Sequence, residues 1–362
     1  MARIDSLQAY RSLAVLGIIL FHLTFVEAKN AGGDRLLPAF LDWAQLCVDL
    51  FFVISGFVMA LVTRGRFGQV QEIKRFAFNR AARVYPVYWL YFFLTLSVFL
   101  LKPQWVNSSH GEPDLWASFF LLPTSQVSLV MVSWTLTFEL WFYLAFTLLM
   151  FFRERHLPYC LAAWGLLLVA VNLFYDVRDF PPYLHLMLHP YALQFILGAG
   201  AGLLFSSGRL SRLSLGTLLV LLALTLLIAI PFAYWLRLFE TPSLLRMLLI
   251  GATFAALVII SALLEQRGHL RIPTLLRHLG DSSYSTYLSH LLVLGVLGKL
   301  WAAVGPWPHS SLDNWLVVLT AVVACLAYGW LAYLVSEKPL MQATARLSNN
   351  YFPLAPRGAS PA

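Results

Sequence analysis

Apolar residues gather in this chain in long unbroken runs, not at alternate positions and not on one helical stripe. Ten runs fall near 13–29, 43–63, 84–101, 129–152, 157–174, 191–206, 213–236, 246–264, 283–304 and 315–336. Each is near the ~20 residues that cross a hydrocarbon core as a helix. A helix apolar on every side has apolar surroundings, and in lipid only helices and closed barrels satisfy the backbone. The pattern predicts an all-α integral membrane protein, a single bundle of about ten transmembrane helices. Ten crossings place both termini on one side. No polar block longer than the 102–128 loop interrupts the runs, and no internal repeat is visible. The expected division is a membrane domain over 1–339 and a disordered tail over 340–362.

Composition agrees with the pattern. Of 362 residues, 60% are hydrophobic and 12% charged, against roughly 25% charged in a soluble domain. A net charge of +8 invites a nucleic-acid reading, but its placement removes that reading. With the N-terminus inside, 18 of the 25 basic residues fall on inner segments. The other 7 are Lys29, Arg35, Lys102, Arg178, Arg237, Arg246 and Lys299. This is the positive-inside pattern, and it predicts cytoplasmic termini in a cell inner (cytoplasmic) membrane, with the lipid bilayer and not nucleic acid as partner. Arg3, Arg11, an apolar run and V-E-A at 26–28 imitate a signal peptide; cleavage there would discard a histidine lodged in the run, and the segment is read as the first span. Cys47, Cys160 and Cys325 make no disulfide framework. The nine histidines show no metal-ligand spacing, so no metal is expected.

Among the ionisable residues of the runs, His22, Asp49, Glu139 and His290 stand well away from the run ends. Such groups cost a few kcal/mol each at mid-bilayer, so they face the interior and pair. Counting helix rise from the outer ends places His22 ~10 Å deep, Asp49 ~9 Å and Glu139 ~15 Å. A histidine and two carboxylates in one band suggest one polar centre. A buried network tying helices together, a proton-coupled transport site and a general base with an acidic partner all fit it. Asp5 is placed to pair with Arg11 at the inner interface, and Glu337 with Lys338 to close the bundle there.

Six blocks then occur in order: RIDSLQAYRSLAVLGIILFH (3–22), VDLFFVISGF (48–57), NRAARVYPVYW (79–89), SWTLTFELWFYL (133–144), LGDSSYSTYLSH (279–290) and SEKPL (336–340). Together they resemble the acyltransferase-3 family of integral membrane O-acyltransferases, whose members decorate bacterial envelope glycans, lipopolysaccharide and some small molecules. The resemblance covers about Arg3 to Pro339. It implies a ten-helix acyltransferase domain with His22 as catalytic base and Arg11, Arg80 and Arg83 on the acyl-donor side. Asp49 and Glu139 match the family's acids, and either would orient the imidazole. Ser12 and Leu140 depart from the family, which often has Gly and a second acid there.

The implied reaction moves an acyl group, acetyl first, from acyl-CoA as co-substrate to a hydroxyl of an envelope glycan or glycoside, with no tightly bound cofactor. Ser55 and Ser133 are candidate substrate contacts, and either one raises the alternative of a covalent acyl-serine. His290 either lines the donor path or hydrogen-bonds within the bundle. The competing function is a multi-span transporter or flippase of a glycan or lipid precursor. No sequence feature sets the oligomeric state.

Overall fold

The computed structural model describes residues 3–30, 37–106, 111–235, 243–304 and 311–353. Arg35, Arg237 and the tail beyond 353, with Arg357, lie outside the described residues. Among those described, the secondary structure is helical apart from one isolated bridge between Pro113 and Val127. The α-helices are α1 (Asp5–Asn30), α2 (Cys47–Val62), α3 (Val70–Leu101), α4 (Leu115–Phe120), α5 (Trp134–Leu149), α6 (Leu157–Phe174), α7 (Pro182–Leu188), α8 (Tyr191–Ser206), α9 (Leu215–Leu224), α10 (Ile230–Trp235), α11 (Leu244–Gln266), α12 (Thr274–Asp281), α13 (Ser283–Val304), α14 (Ser311–Ala332) and α15 (Lys338–Tyr351).

Among the described residues, ten segments are long and apolar enough to cross a membrane, and they coincide one for one with the ten apolar runs. Several include more than one helix: α7 joins α8, α9 continues through a π turn at Thr225–Ala229 into α10, and α14 runs into α15. Leu101, Leu166, Leu227 and Val323 stay exposed on the outside of the bundle, where lipid is the solvent. The chain is a multi-pass membrane protein.

Where the sequence suggested a disordered tail from 340, Lys338–Tyr351 is helical. Pro339 stands in the first turn of α15, where its missing N–H is no loss. A π turn at Tyr333–Glu337 precedes it and joins it to α14. Arg75 Nη2 donates to Asn349 Oδ1 at 2.6 Å and docks α15 on α3.

Close helix approach fixes the frame that carries the site. Gly198 and Gly202 of α8 face Gly56 and Ala60 of α2, a small-x-x-x-small pattern on both helices. A Cβ on Gly56 would run into the backbone of Phe195 and Ala199, and one on Gly198 into the Val53 carbonyl. At its N-terminus α1 is capped from another helix: Glu265 accepts the backbone N–H of Asp5 at 2.6 Å and of Ser6 at 2.7 Å, which answers two orphan donors with an anion.

A buried ion pair ties α2 to α11. Arg246 Nη2 lies 3.1 Å from Asp49 Oδ2, with the two side chains 2% and 1% exposed. Arg246 sits in the first turn of α11, where its backbone N–H donates to the capping Ser243 Oγ at 3.1 Å. The sequence placed Arg246 in an outer loop; the helix begins at Leu244 and draws it inside.

Two predictions follow from this packing. Gly56→Ala lowers stability by about 1–3 kcal/mol in detergent thermal melts through overpacking. Gly200→Ala, with nothing within 4 Å of the new carbon, leaves the melt in place. Asp49→Ala costs about 3–5 kcal/mol, because it strands a buried guanidinium. Asp49→Leu with Arg246→Met recovers most of that loss; a double variant as unstable as the single one would refute the pairing.

Candidate active site

R-A-A-R at 80–83 puts Arg80 and Arg83 on one face of α3, three residues apart, and Arg11 meets them from the second turn of α1. All three line a cavity of about 300 Å³, together with Glu139 and Tyr143 of α5 and Ser55 of α2. Apolar and aromatic side chains, Phe51, Tyr284 and Tyr287 among them, complete the wall. Tyr143 donates its hydroxyl to Glu139, one helical turn back. The Arg80 guanidinium lies 5.7 Å from the ring centroids of both Phe76 and Tyr143, a cation–π arrangement that suits a guanidinium removed from water.

Glu337 sits within electrostatic range of Arg11 and Arg83. Its Oε2 accepts from the backbone N–H of Ser285 at 3.1 Å and from the Ser285 hydroxyl at 2.6 Å. Tyr284 donates to the Val84 carbonyl at 2.8 Å and holds α13 against the turn of α3 that carries Arg83. Three guanidinium groups thus face two carboxylates, Glu139 and Glu337, and positive charge is left over. Arg80 Nε and Ser55 Oγ are buried with no hydrogen-bond partner among the described residues. Uncommitted donors beside surplus positive charge fit an anionic ligand, and guanidinium forks fit phosphate best.

Tyr287 joins this cavity to a second polar group. Its hydroxyl donates to the Val132 carbonyl at 2.9 Å and lies 2.8 Å from Thr135 Oγ1. One turn along α13, His290 Nε2 lies 3.2 Å from His22 Nδ1, with ring centroids 4.9 Å apart. His290 Nδ1 lies 2.5 Å from the Tyr287 carbonyl oxygen, and His22 Nδ1 lies 2.9 Å from that of Ile18. The Tyr287 and His290 rings are 5.7 Å apart.

The candidate residues therefore separate into three groups where the sequence suggested one centre. Arg11, Arg80, Arg83, Glu139 and Ser55 share the cavity. His22 meets His290, and Asp49 meets Arg246. Neither Asp49 nor Glu139 bonds to His22, so no carboxylate among the described residues orients that ring. Helix rise gives the depth of a residue but not the direction it faces: His22 turns toward α13, Asp49 toward α11. His290 is not on the cavity lining, and Ser133 is buried outside it. Asp5 pairs with Arg3 and Arg277, each at 3.2 Å, and Arg11 is left to the cavity.

Sequence reasoning passed over Arg246, Tyr143 and the link from Glu337 to Ser285. A buried Asp49 demands a buried cation, and Arg246 at the edge of an apolar run was the available one. Tyr143 stands four residues after Glu139, the spacing at which helical neighbours touch.

The acyltransferase-domain family model matches residues 4–334. The exopolysaccharide production protein ExoZ of Rhizobium meliloti is 30% identical over 310 residues, 82% of this chain and 89% of that protein. The peptidoglycan O-acetyltransferase OatA of Listeria monocytogenes is 31% identical over 120 residues, 32% of this chain and 17% of that protein. No solved structure matches. A family match over nearly the whole folded chain, on a ten-span bundle, means that this protein belongs to the acyltransferase-3 family of membrane proteins and is an acyltransferase.

Proposed function

We propose that the protein transfers an acyl group, acetyl in the first instance, from acyl-CoA to a hydroxyl of a cell-envelope glycan or related glycoside. The observation that carries this reading is the cavity with three guanidinium groups, set one tyrosine away from a histidine pair. The two relatives act in exopolysaccharide production and on peptidoglycan according to their names, which supports a glycan acceptor here. The excess of Lys and Arg on one set of loops supports a cytoplasmic membrane with both termini inside. In that orientation Arg11, Arg80 and Arg83 belong to the inner halves of α1 and α3, the side on which acyl-CoA is made.

CoA carries phosphate groups and a long thin pantetheine arm. A cavity of about 300 Å³ is smaller than the whole donor; it suits the phosphate-bearing end of the arm, and the nucleotide stays at the mouth. The guanidinium groups bind phosphate oxygens while Glu139 and Glu337 offset part of their mutual repulsion. The thioester then lies toward Tyr287 and His22. His22 takes the proton of the acceptor hydroxyl as its oxygen attacks the thioester carbonyl. The C–S bond breaks, and the CoA thiolate leaves with the proton returned by the imidazolium. Apolar helices around the pair exclude water, which protects the thioester from hydrolysis.

Two measurements test this reading. Membranes carrying the protein, given labelled acetyl-CoA, incorporate label into envelope glycans. His22→Ala at matched protein level lowers that incorporation by about 10²–10⁴-fold, the usual contribution of a general base; undiminished label removes His22 from that role. Arg83→Ala raises KM for acetyl-CoA by about tenfold or more, through loss of a charge-assisted phosphate contact, and changes kcat much less. A loss confined to kcat contradicts a donor-binding role.

A further inference from the structure

We propose that His290 is a positioning residue for His22: its Nε2 accepts the proton on His22 Nδ1 and so keeps His22 Nε2 free to take the acceptor's proton. This inference rests on His22 being the base.

The direction of each bond follows from the groups that can only accept. The Tyr287 carbonyl oxygen has no proton to give, so the 2.5 Å contact requires a proton on His290 Nδ1. A neutral imidazole carries one such proton, which leaves His290 Nε2 as a lone pair. The Ile18 carbonyl imposes the same on His22: at 2.9 Å from that oxygen, Nδ1 carries the proton. That proton is shared with His290 Nε2 at 3.2 Å. The two rings form a directed relay, from His22 Nδ1–H to His290 Nε2 and from His290 Nδ1–H to the Tyr287 carbonyl. His22 Nε2 is the one ring nitrogen of the four outside this relay, and it has no hydrogen-bond partner among the described residues.

Burial separates the two roles. His290 is fully buried, whereas His22 is partly exposed; neither ring lines the arginine cavity. A substrate hydroxyl thus has access to the first ring and not to the second. When His22 Nε2 gains a proton, the charge spreads over the ring and strengthens donation from Nδ1. The Ile18 carbonyl and His290 Nε2 then stabilise the cation at the moment of transfer. This is the function that the two carboxylates were expected to serve, and both are engaged elsewhere.

Three substitutions at one position test the proposal, because they keep different halves of the relay. His290→Gln places an amide oxygen near the position of Nε2 and keeps an acceptor for His22. His290→Asn places its amide near Nδ1, which keeps the tie to the Tyr287 carbonyl and loses the contact with His22. His290→Leu loses both. With acetyl transfer measured in membranes at matched protein level, His290→Asn and His290→Leu lower kcat by about tenfold or more, the worth of a lost hydrogen bond. Both leave KM for acetyl-CoA within about twofold, and His290→Gln recovers most of kcat. Equal loss in the Gln and Asn variants, or a loss that follows detergent melting temperature across the three, overturns the proposal and makes His290 a packing residue. His22→Ala is run alongside. If it keeps full activity, the base assignment itself fails; if it is inactive while His290→Leu is fully active, the positioning role alone fails.

Discussion

Lipid offers no counterion and no hydrogen bond, so each charge inside this bundle has to be answered by the protein itself. That constraint organises the interior. Asp49 and Arg246 answer each other and tie α2 to α11. Arg11, Arg80 and Arg83 are answered only in part, by Glu139 and Glu337, and what is left over is concentrated in one cavity. The first group is balanced in charge and holds helices together, while Asp49 Oδ1 and Arg246 Nε and Nη1 make no hydrogen bond among the described residues. The second is open in charge and in hydrogen bonds, as a site for an anion has to be. A soluble protein could leave such arginines to water; here their partial pairing leaves a balance that the proposed anionic donor would complete.

Packing sets where these groups stand. The glycine-mediated contact between α2 and α8 fixes α2, which carries both Asp49 and Ser55. The tie from Tyr284 to Val84 sets α13 against α3, so the arginine cavity and the histidine pair are held in one frame through Tyr287. The Glu337 carboxylate, in the π turn before α15, bonds the start of α13 and also faces Arg11 and Arg83. A local departure from α-helical winding at such a place is common where function demands it. Remote elements of the sequence thus meet at the cavity from α1, α2, α3, α5 and α13.

The fold was legible from the runs alone, because span length and apolarity are properties of contiguous residues. All ten spans were visible, and so were the arginines at 80 and 83, whose shared face follows from their spacing. The partners of the buried acids were not visible. Depth along a helix can be counted, but azimuth depends on which neighbour each helix packs against, and that is a tertiary fact. Asp49 and Glu139 were therefore recognised as interior acids and given the wrong partner. The stretch after Pro339 failed for a related reason: its polar composition describes the exposed face of a docked helix as well as it describes a loose tail. Arg246 shows the same limit at a span end, where two residues decide between loop and interior.

With His22 as the proposed base, its separation from the acids has a chemical rationale. A base must be unprotonated when the substrate arrives. In a medium of low dielectric the attraction between an imidazolium and an adjacent carboxylate is far stronger than in water, and such a pair favours a histidine already protonated on both nitrogens. A second neutral imidazole imposes no such charge. It fixes the tautomer through one lone pair, and it leaves the first ring neutral until the acceptor hydroxyl supplies the proton. It then shares in stabilising the cation that forms. Placing the carboxylates with arginines, and the base with a histidine, keeps the charged chemistry of donor binding apart from the proton transfer. In a water-poor interior, that division would let one bundle hold the proposed anionic donor and still present a neutral base.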